Sequence, residues 1–329
     1  MFQLFKKPKV HKDPRELLFE ECAKDIPEIA DYSHYESVGG TLSGETKFVV
    51  TSKYQKRYLL ELCPSTTNDG LVKKAHYSRL LNYKTTISVP DVTFGNCHTN
   101  GQSYLLQPWI DGTPLEVKLQ KLSSHQQYQL GLDAGKMLHK IHSTVLSQDI
   151  LDTASTMEHL YAKWARYWEY VSRNGESSDL LQIRTYLETH HLSDQHKRCL
   201  LHGDYHIGNI IMTPQNQLIA LDWLPLLIDD PIEDFCRILI SAELCSSFAT
   251  GQIDGYFPEG VPNDFWSNLL IRMLSHQIGI VNWINPPHPS GQGFAEHQRA
   301  FLLEQYQGLT TLVPAFYSYT HISNGGNSL

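Results

Sequence analysis

The sequence predicts an α+β fold with two lobes, a small β-rich N-terminal lobe and a larger helical C-terminal lobe. Two observations support this division. Before residue 106, short apolar segments alternate with polar turns, and Asn100-Gly101 has the composition of a β-hairpin turn. After Pro108-Trp109, apolar residues recur at helical spacing over long segments. We therefore expect the lobes to cover residues 1–106 and 107–329.

The elements of the N-terminal lobe each have a local signal. Residues 12–31 place apolar side chains at helical spacing, and the basic segment 71–83 predicts a shorter helix. The apolar segments 48–50 and 58–62 flank a polar turn, and the Asn100-Gly101 turn joins two more strands. The lobe is therefore expected to be mostly antiparallel sheet.

The C-terminal lobe is predicted to consist mainly of helices. In the helical segment 124–142, Gly131 and Gly135 lie one turn apart, which permits close approach of another backbone. Asp230 followed by Pro231 and then Glu233 is a helix-capping pattern, so Asp230 and Glu233 are interpreted as structural. Further helical patterns cover residues 157–173, 178–190, 232–248, 263–284 and 294–312.

Composition and charge narrow the class of protein. Of 329 residues, 41% are hydrophobic and 19% charged, which excludes a disordered or fibrous chain. The net charge of −8 disfavours non-specific binding to nucleic acid. The charge is uneven, because residues 106–329 carry 23 acidic and 13 basic side chains, a net charge of −10. This excess predicts attraction of a cationic partner.

The cysteines and the apolar segments indicate the compartment. Six cysteines lie scattered without a C-x-x-C pair, which favours reduced thiols over a disulfide framework or a zinc ribbon. The N-terminus has no apolar leader segment, and the apolar run at 218–228 is interrupted by Asp222 and Pro225. We therefore expect a cytoplasmic protein that does not bind membranes.

Residues 200–223 contain the most informative motif. The segment reads L-L-H-G-D-Y-H-I-G-N-I-I-M and is followed, after a polar turn, by L-I-A-L-D-W. Two apolar strands would thus present Asp204, Asn209 and Asp222 at one end of a hairpin. Phosphoryl transfer needs one carboxylate near the acceptor hydroxyl and hard oxygen ligands for Mg²⁺. A zinc site at His202, Asp204 and His206 is disfavoured, because no other His/Cys cluster completes it.

The H-G-D-x-x-x-x-N motif with I-A-L-D-W closely resembles the catalytic loop and metal-binding aspartate of the aminoglycoside phosphotransferase and choline kinase-like families. The resemblance covers most of the chain and implies the two-lobed, protein kinase-like fold. It implies that Asp204 is the catalytic base, that Asn209 and Asp222 are Mg²⁺ ligands, and that His202 orients the loop. Apart from the resemblance, the acidic residues Asp229, Asp234, Glu243 and Asp254 are candidates for the walls of an acceptor pocket.

The same resemblance assigns the nucleotide-binding residues. The glycine-rich segment 39–44 would cover the phosphates, and the linker would offer the Gln107 carbonyl and the Trp109 N–H to the adenine. The residues concerned in the glycine-rich segment are Gly39, Gly40, Ser43 and Gly44.

One position departs from the family pattern. Glu61 falls where the family has a Lys or Arg that binds the nucleotide phosphates, and a carboxylate there is repulsive. One possibility is that the charges of strand and helix are exchanged, so that a basic side chain such as Lys74 or Arg79 on the following helix binds the phosphates. The other possibility is that nucleotide binding is weakened.

The predicted function is Mg²⁺-dependent transfer of the γ-phosphate of ATP, or of GTP, to a hydroxyl of a small molecule. The predicted acceptor is cationic, such as an aminoglycoside-like compound or an amino alcohol. The alternative is a catalytically impaired pseudokinase that only binds a nucleotide or ligand. Glu61 favours this alternative, whereas the intact set of Asp204, Asn209 and Asp222 favours the enzyme. A protein kinase is disfavoured, because the segment from Trp223 to Asp230 is too short for an activation loop.

Overall fold

The computed structural model describes residues 13–38, 46–84, 91–98, 100–152, 157–175, 177–193, 197–224, 227–283 and 289–317. The chain forms two compact units, Met1–Ile110 and Asp111–Leu329. The first unit ends at Ile110. The last strand of the first unit ends at Pro108, and the Trp109 N–H donates to the Arg57 carbonyl at 2.9 Å. These contacts keep the predicted linker with the sheet.

The N-terminal unit is a five-stranded antiparallel sheet with a helix on each face. Its elements are α1 (Pro14–Ala23), β1 (Tyr32–Val38), β2 (Thr46–Ser52), β3 (Arg57–Pro64), α2 (Asp69–Lys84), β4 (Thr93–Asn96) and β5 (Gln102–Pro108), and the strand order is β1-β2-β3-β5-β4. The predicted helix over 12–31 is shorter than expected. The helix ends at Ala23, and the chain after it forms turns. Pro27 disfavours helical backbone at Ile26, so the helix cannot extend to residue 31.

Strand alternation separates the two faces of this sheet. Phe48 on β2 and Leu60 on β3 pack with Phe19 of α1 in one buried cluster. Leu105 on β5 packs instead against Leu71 of α2. Because successive side chains of a strand point to opposite faces, residues next to Phe48 and Leu60 face α2.

The C-terminal unit combines short strands with helices, which confirms the predicted α+β class. Its strands are β6 (Thr113–Pro114), β7 (Cys199–Leu201), β8 (Ile210–Met212), β9 (Leu218–Ala220) and β10 (Leu227–Asp229). Its helices are α3 (Leu115–Leu119), α4 (Ser124–His142), α5 (Gln148–Leu151), α6 (Met157–Asn174), α7 (Ser178–Thr189), α8 (Ile238–Leu244), α9 (Ser246–Tyr256), α10 (Phe265–Trp283) and α11 (Pro289–Gln305). The strands form two sheets, β7–β10 and β6–β8–β9.

The helical predictions for this unit hold for most segments. The helix α4 begins at a capping box formed by Ser123 and Gln126, as its sequence favours. The segment 232–248, predicted as one helix, is divided instead. A 3₁₀ helix covers Pro231–Arg237 and α8 follows, and the extended backbone of Cys245 then separates α8 from α9.

All six cysteines are buried and free. Among the helices of the described residues, none combines the length and the apolar character needed to cross a bilayer.

The helices α4 and α9 pack with their backbones in contact. Gly131 and Gly135 of α4 face Gly251 and Gly255 of α9. A Cβ atom at Gly135 would lie 2.2 Å from the Gln252 carbonyl oxygen, far inside van der Waals contact. The sequence prediction that these α4 glycines permit close approach of another backbone is therefore confirmed.

We expect Gly135→Ala to lower the free energy of unfolding by about 1–3 kcal/mol, because the added methyl group must push two helix backbones apart. The measurement is the urea midpoint. The control is Gly293→Ala on α11, where a Cβ atom meets nothing within 4 Å and alanine should be neutral or slightly stabilising. Equal midpoints for the two variants would contradict the close packing of α4 and α9.

Candidate functional site

The loop between β7 and β8 carries Asp204 and Asn209. Both ends of this loop are fixed in sheets, because β7 is buried and pairs with β10 while β8 pairs with β9. The Asn209 Nδ2 donates to the backbone carbonyl of Asp204 at 2.9 Å and to its Oδ2 atom at 3.0 Å. These hydrogen bonds bring two of the predicted site residues into direct contact.

Two basic side chains lie beside the Asp204 carboxylate. The Arg237 Nε donates to Oδ1 at 3.2 Å, and the His206 Nε2 lies 3.6 Å from Oδ2. Burial acts to raise the pKa of Asp204, but the His206 ring and the Arg237 guanidinium outweigh burial and lower this pKa to about 2. Asp204 is therefore ionised at neutral pH.

Asp222 follows β9 in a segment tied to the same loop. The Leu221 N–H donates to the Asn209 carbonyl at 2.8 Å, and the Leu224 N–H donates to the His202 carbonyl at 3.1 Å. Asp222, between them, is exposed and has a φ of 56°, in the left-handed region. Aspartate is one of the few residues other than glycine that adopt this conformation readily.

The residues present fit a magnesium ion. Asn209 uses its Nδ2 to hold Asp204, so its amide oxygen is the atom that can ligate a cation. Asp222 supplies an exposed carboxylate on the segment that is hydrogen-bonded to Asn209. Carboxylate and amide oxygens are the hard ligands that Mg²⁺ prefers.

His202 lies at the start of the loop and is fully buried. Its Nδ1 accepts from the Asp204 N–H at 3.3 Å, and its ring packs against Trp223 with centroids 4.7 Å apart. Burial lowers the pKa of His202, so the ring is neutral. The ring contacts both the segment of Asp204 and the segment of Asp222, a geometry suited to the predicted orienting role.

Asp234 accepts hydrogen bonds from the backbone of the loop that carries Asp204, whereas the sequence suggested a place in the wall of an acceptor pocket. It is 1% exposed, and its carboxylate accepts from the His202 N–H at 2.7 Å and from the Gly203 N–H at 2.6 Å. The His142 Nε2 lies 2.9 Å from Oδ2 of the same carboxylate. Asp234 thus fixes the backbone just before Asp204, and the acceptor-pocket interpretation is wrong because the carboxylate is buried.

The capping interpretation of Asp230 is confirmed, because its side chain accepts from the Ile232 N–H at 3.0 Å. Glu233 is structural in a different way. Its carboxylate pairs with Arg272 and lies 2.6 Å from the His276 Nε2. Glu233, Cys236 and His276 are the group of metal-ligating side chains that the described residues bring together. Because the Glu233 carboxylate already pairs with the Arg272 guanidinium and the His276 ring, we interpret these side chains as an ion-pair network and not as a metal site.

The zinc alternative finds no support in the described part of the chain, where His202, Asp204 and His206 do not form a metal-ligating group. His206 instead lies beside the Asp204 carboxylate, with its Nε2 atom 3.6 Å from Oδ2.

The N-terminal unit contains the predicted nucleotide-binding residues that the structure describes. Glu61 is buried on β3 and accepts a hydrogen bond from Lys74 of α2 at 3.0 Å. Gln107 lies on β5. The Trp109 N–H, predicted as a donor to adenine, already donates to the Arg57 carbonyl, so that role requires exchange of this bond. Gly39, Gly40, Ser43 and Gly44 lie outside the described residues.

Comparisons with known proteins give a family match and a distant curated relative. The family model described as "Phosphotransferase enzyme family" matches residues 34–264. A curated mouse protein (Mus musculus), acyl-CoA dehydrogenase family member 10, is 27% identical over 117 residues. That match covers 34% of this chain and 11% of the relative, so the chain spans about a tenth of the length of that protein.

Solved structures share the fold at low sequence identity. An aminoglycoside 2'-phosphotransferase-IIIa is 16% identical with a TM-score of 0.69, and the match covers 88% of this chain and 99% of that one. A macrolide 2'-phosphotransferase type I is 15% identical with a TM-score of 0.65, over 86% of this chain and 95% of that one. These matches confirm the predicted kinase-like, two-lobed α+β fold.

Proposed function

The chain belongs to the phosphotransferase enzyme family, and on this premise we propose that it transfers the γ-phosphate of ATP or GTP to a hydroxyl of a small molecule with the help of Mg²⁺. The observation that carries the proposal is the direct contact of ionised Asp204 with Asn209, on a loop that is hydrogen-bonded to the segment of Asp222. The solved relatives include complexes with GDP and with AMP-PNP, which supports nucleotide use.

Asp204 is the residue that would take the acceptor proton. Its carboxylate is ionised, so it can accept a hydrogen bond from the hydroxyl, align it with the phosphorus atom and take its proton. The phosphoryl transition state is loose, and the hydroxyl becomes acidic only as its bond to phosphorus forms. A strongly ionised carboxylate suits this late proton transfer, and Arg237 holds it in place.

Asn209 and Asp222 would hold Mg²⁺, whose charge compensates the negative charge of the nucleotide phosphates. Asp234 supports these residues by fixing the backbone of His202 and Gly203.

The acceptor that we propose carries amino groups. Residues 106–329 have a net charge of −10, and acidic surfaces raise the local concentration of cationic substrates. Among the solved relatives, one was determined with kanamycin and another with gentamicin. Aminoglycoside-like compounds and amino alcohols share this chemistry.

The alternative from a different class is a silent nucleotide-binding module. It is motivated by Glu61, which the resemblance noted in the sequence aligns with the phosphate-binding Lys or Arg of the family. A silent module would bind nucleotide without phosphorylating any acceptor.

The test is a panel of cationic and neutral hydroxyl compounds, each incubated with the purified protein, Mg²⁺ and ATP or GTP. Mass spectrometry would detect transfer of one phosphoryl group. We expect product with at least one cationic compound and none without Mg²⁺. Nucleotide binding without product across the panel would support the silent module, and a preferred neutral acceptor would reject the proposed cationic class.

A further inference from the structure

A buried ion-pair cluster of Glu61, Lys74 and Lys47 lies in the N-terminal unit. The Lys74 Nζ donates to the Glu61 Oε2 at 3.0 Å, and the Lys47 Nζ lies 3.8 Å from the same oxygen. The Glu61 side chain is 3% exposed, and those of Lys47 and Lys74 are 12% and 19% exposed. Charges this well buried are retained only where they are paired, so the three side chains form one electrostatic unit.

The strand register places this cluster on the face of the sheet that α2 covers. Lys47 on β2 lies directly opposite Glu61 on β3, so both project from the same face. Their strand neighbours Phe48 and Leu60 point the other way, into the cluster with α1. Lys74 reaches the same carboxylate from α2.

The charges of this cluster are exchanged relative to the family pattern given by the resemblance, which has a Lys or Arg on β3. Here the carboxylate of Glu61 lies on β3 and the ammonium group of Lys74 lies on α2. A carboxylate repels phosphate oxygens, whereas lysine ammonium groups bind them. The two lysines are not equivalent. Lys74 is within hydrogen-bond distance of Glu61, whereas Lys47 at 3.8 Å is beyond it, so the carboxylate anchors Lys74 more strongly.

Resting on the proposed function, we propose that Lys47 is the residue that binds the nucleotide phosphates, with Glu61 and Lys74 positioning its ammonium group. The phosphate-binding cation is thus displaced from β3 to the neighbouring strand β2. Glu61 then contributes to nucleotide binding through Lys47, without touching the phosphates.

The experiment is titration calorimetry of ATP and adenosine, and of GTP and guanosine, in the presence of Mg²⁺. We expect Lys47→Met to weaken binding of the triphosphate about tenfold or more, equivalent to about 1.4 kcal/mol, and to leave nucleoside binding unchanged. Lys47→Arg keeps the charge and should restore most of the affinity. The matched control is Lys53→Met, because Lys53 is an exposed lysine paired with Asp31.

The outcomes separate this assignment from the proposed function. Triphosphate affinity that Lys47→Met does not change, or that falls only in Lys74→Met, would overturn the assignment of Lys47. Equal losses of triphosphate and nucleoside affinity in Lys47→Met would overturn it as well, because they report a general disturbance of the unit. A wild-type protein that binds none of the four compounds contradicts the proposed function itself.

Discussion

Asp204→Asn is expected to lower the rate of phosphoryl transfer about 10²- to 10⁴-fold, because the amide cannot accept the proton of the acceptor hydroxyl. The amide keeps the size of the carboxylate, but it has one acceptor oxygen and can accept from Arg237 or from Asn209, not from both. We therefore expect a small fall in the free energy of unfolding, about 0.5–1.5 kcal/mol, and a nucleotide affinity that changes far less than kcat. The measurement is kcat with an acceptor identified by the panel, together with the Kd for the nucleotide.

The matched control is Asp133→Asn, which changes an exposed carboxylate on α4 that pairs with Lys136. We expect wild-type kinetics for this control, since a surface ion pair contributes little. An Asp204→Asn variant with near wild-type kcat would remove Asp204 from the role of proton acceptor.

Asp234→Ala is expected to cause the largest loss of stability of the substitutions considered, about 3–5 kcal/mol. The alanine leaves the buried N–H groups of His202 and Gly203 and the His142 ring without their carboxylate partner. The loop that carries Asp204 loses its fixed backbone at the same time, so kcat should also fall in protein that remains folded. Urea denaturation and kcat below the unfolding midpoint are the two measurements.

Asp133→Ala is the control for this loss of stability, because it removes an exposed carboxylate of the same unit. Its free energy of unfolding should stay within about 0.5 kcal/mol of the wild type. If Asp234→Ala were as stable and as active as Asp133→Ala, the hydrogen bonds from the His202 and Gly203 N–H groups to Asp234 would contribute neither to stability nor to activity.

The residues that the sequence could predict are those whose geometry is local. Asp204 and Asn209 lie on the loop before β8, and Asp222 follows β9, so the short turn that joins β8 to β9 is enough to predict that the two segments lie side by side. The glycine pair of α4 could likewise be predicted from its spacing, although its partner α9 could not.

The residues that the sequence could not assign act over long separations. Asp234 looks like any acidic residue after a helix cap, and only the tertiary structure shows its carboxylate on the backbone of residues 202 and 203. The register of β2 with β3 is what places Lys47 opposite Glu61. The hydrogen bond of the Trp109 N–H cannot be predicted either, because it depends on where β5 ends against β3. In each case the deciding contact joins residues far apart in the chain.

The most direct test of the proposed site is titration calorimetry of ATP with and without Mg²⁺, on the wild-type protein and on Asp222→Asn. Asparagine tolerates the left-handed backbone at this position but is a weaker ligand for a hard cation, so the comparison isolates the carboxylate. We expect Mg²⁺ to tighten ATP binding to the wild type and Asp222→Asn to lose most of this gain. Wild-type affinity that is the same with and without Mg²⁺, or a full gain retained in Asp222→Asn, would contradict a magnesium site at Asp222.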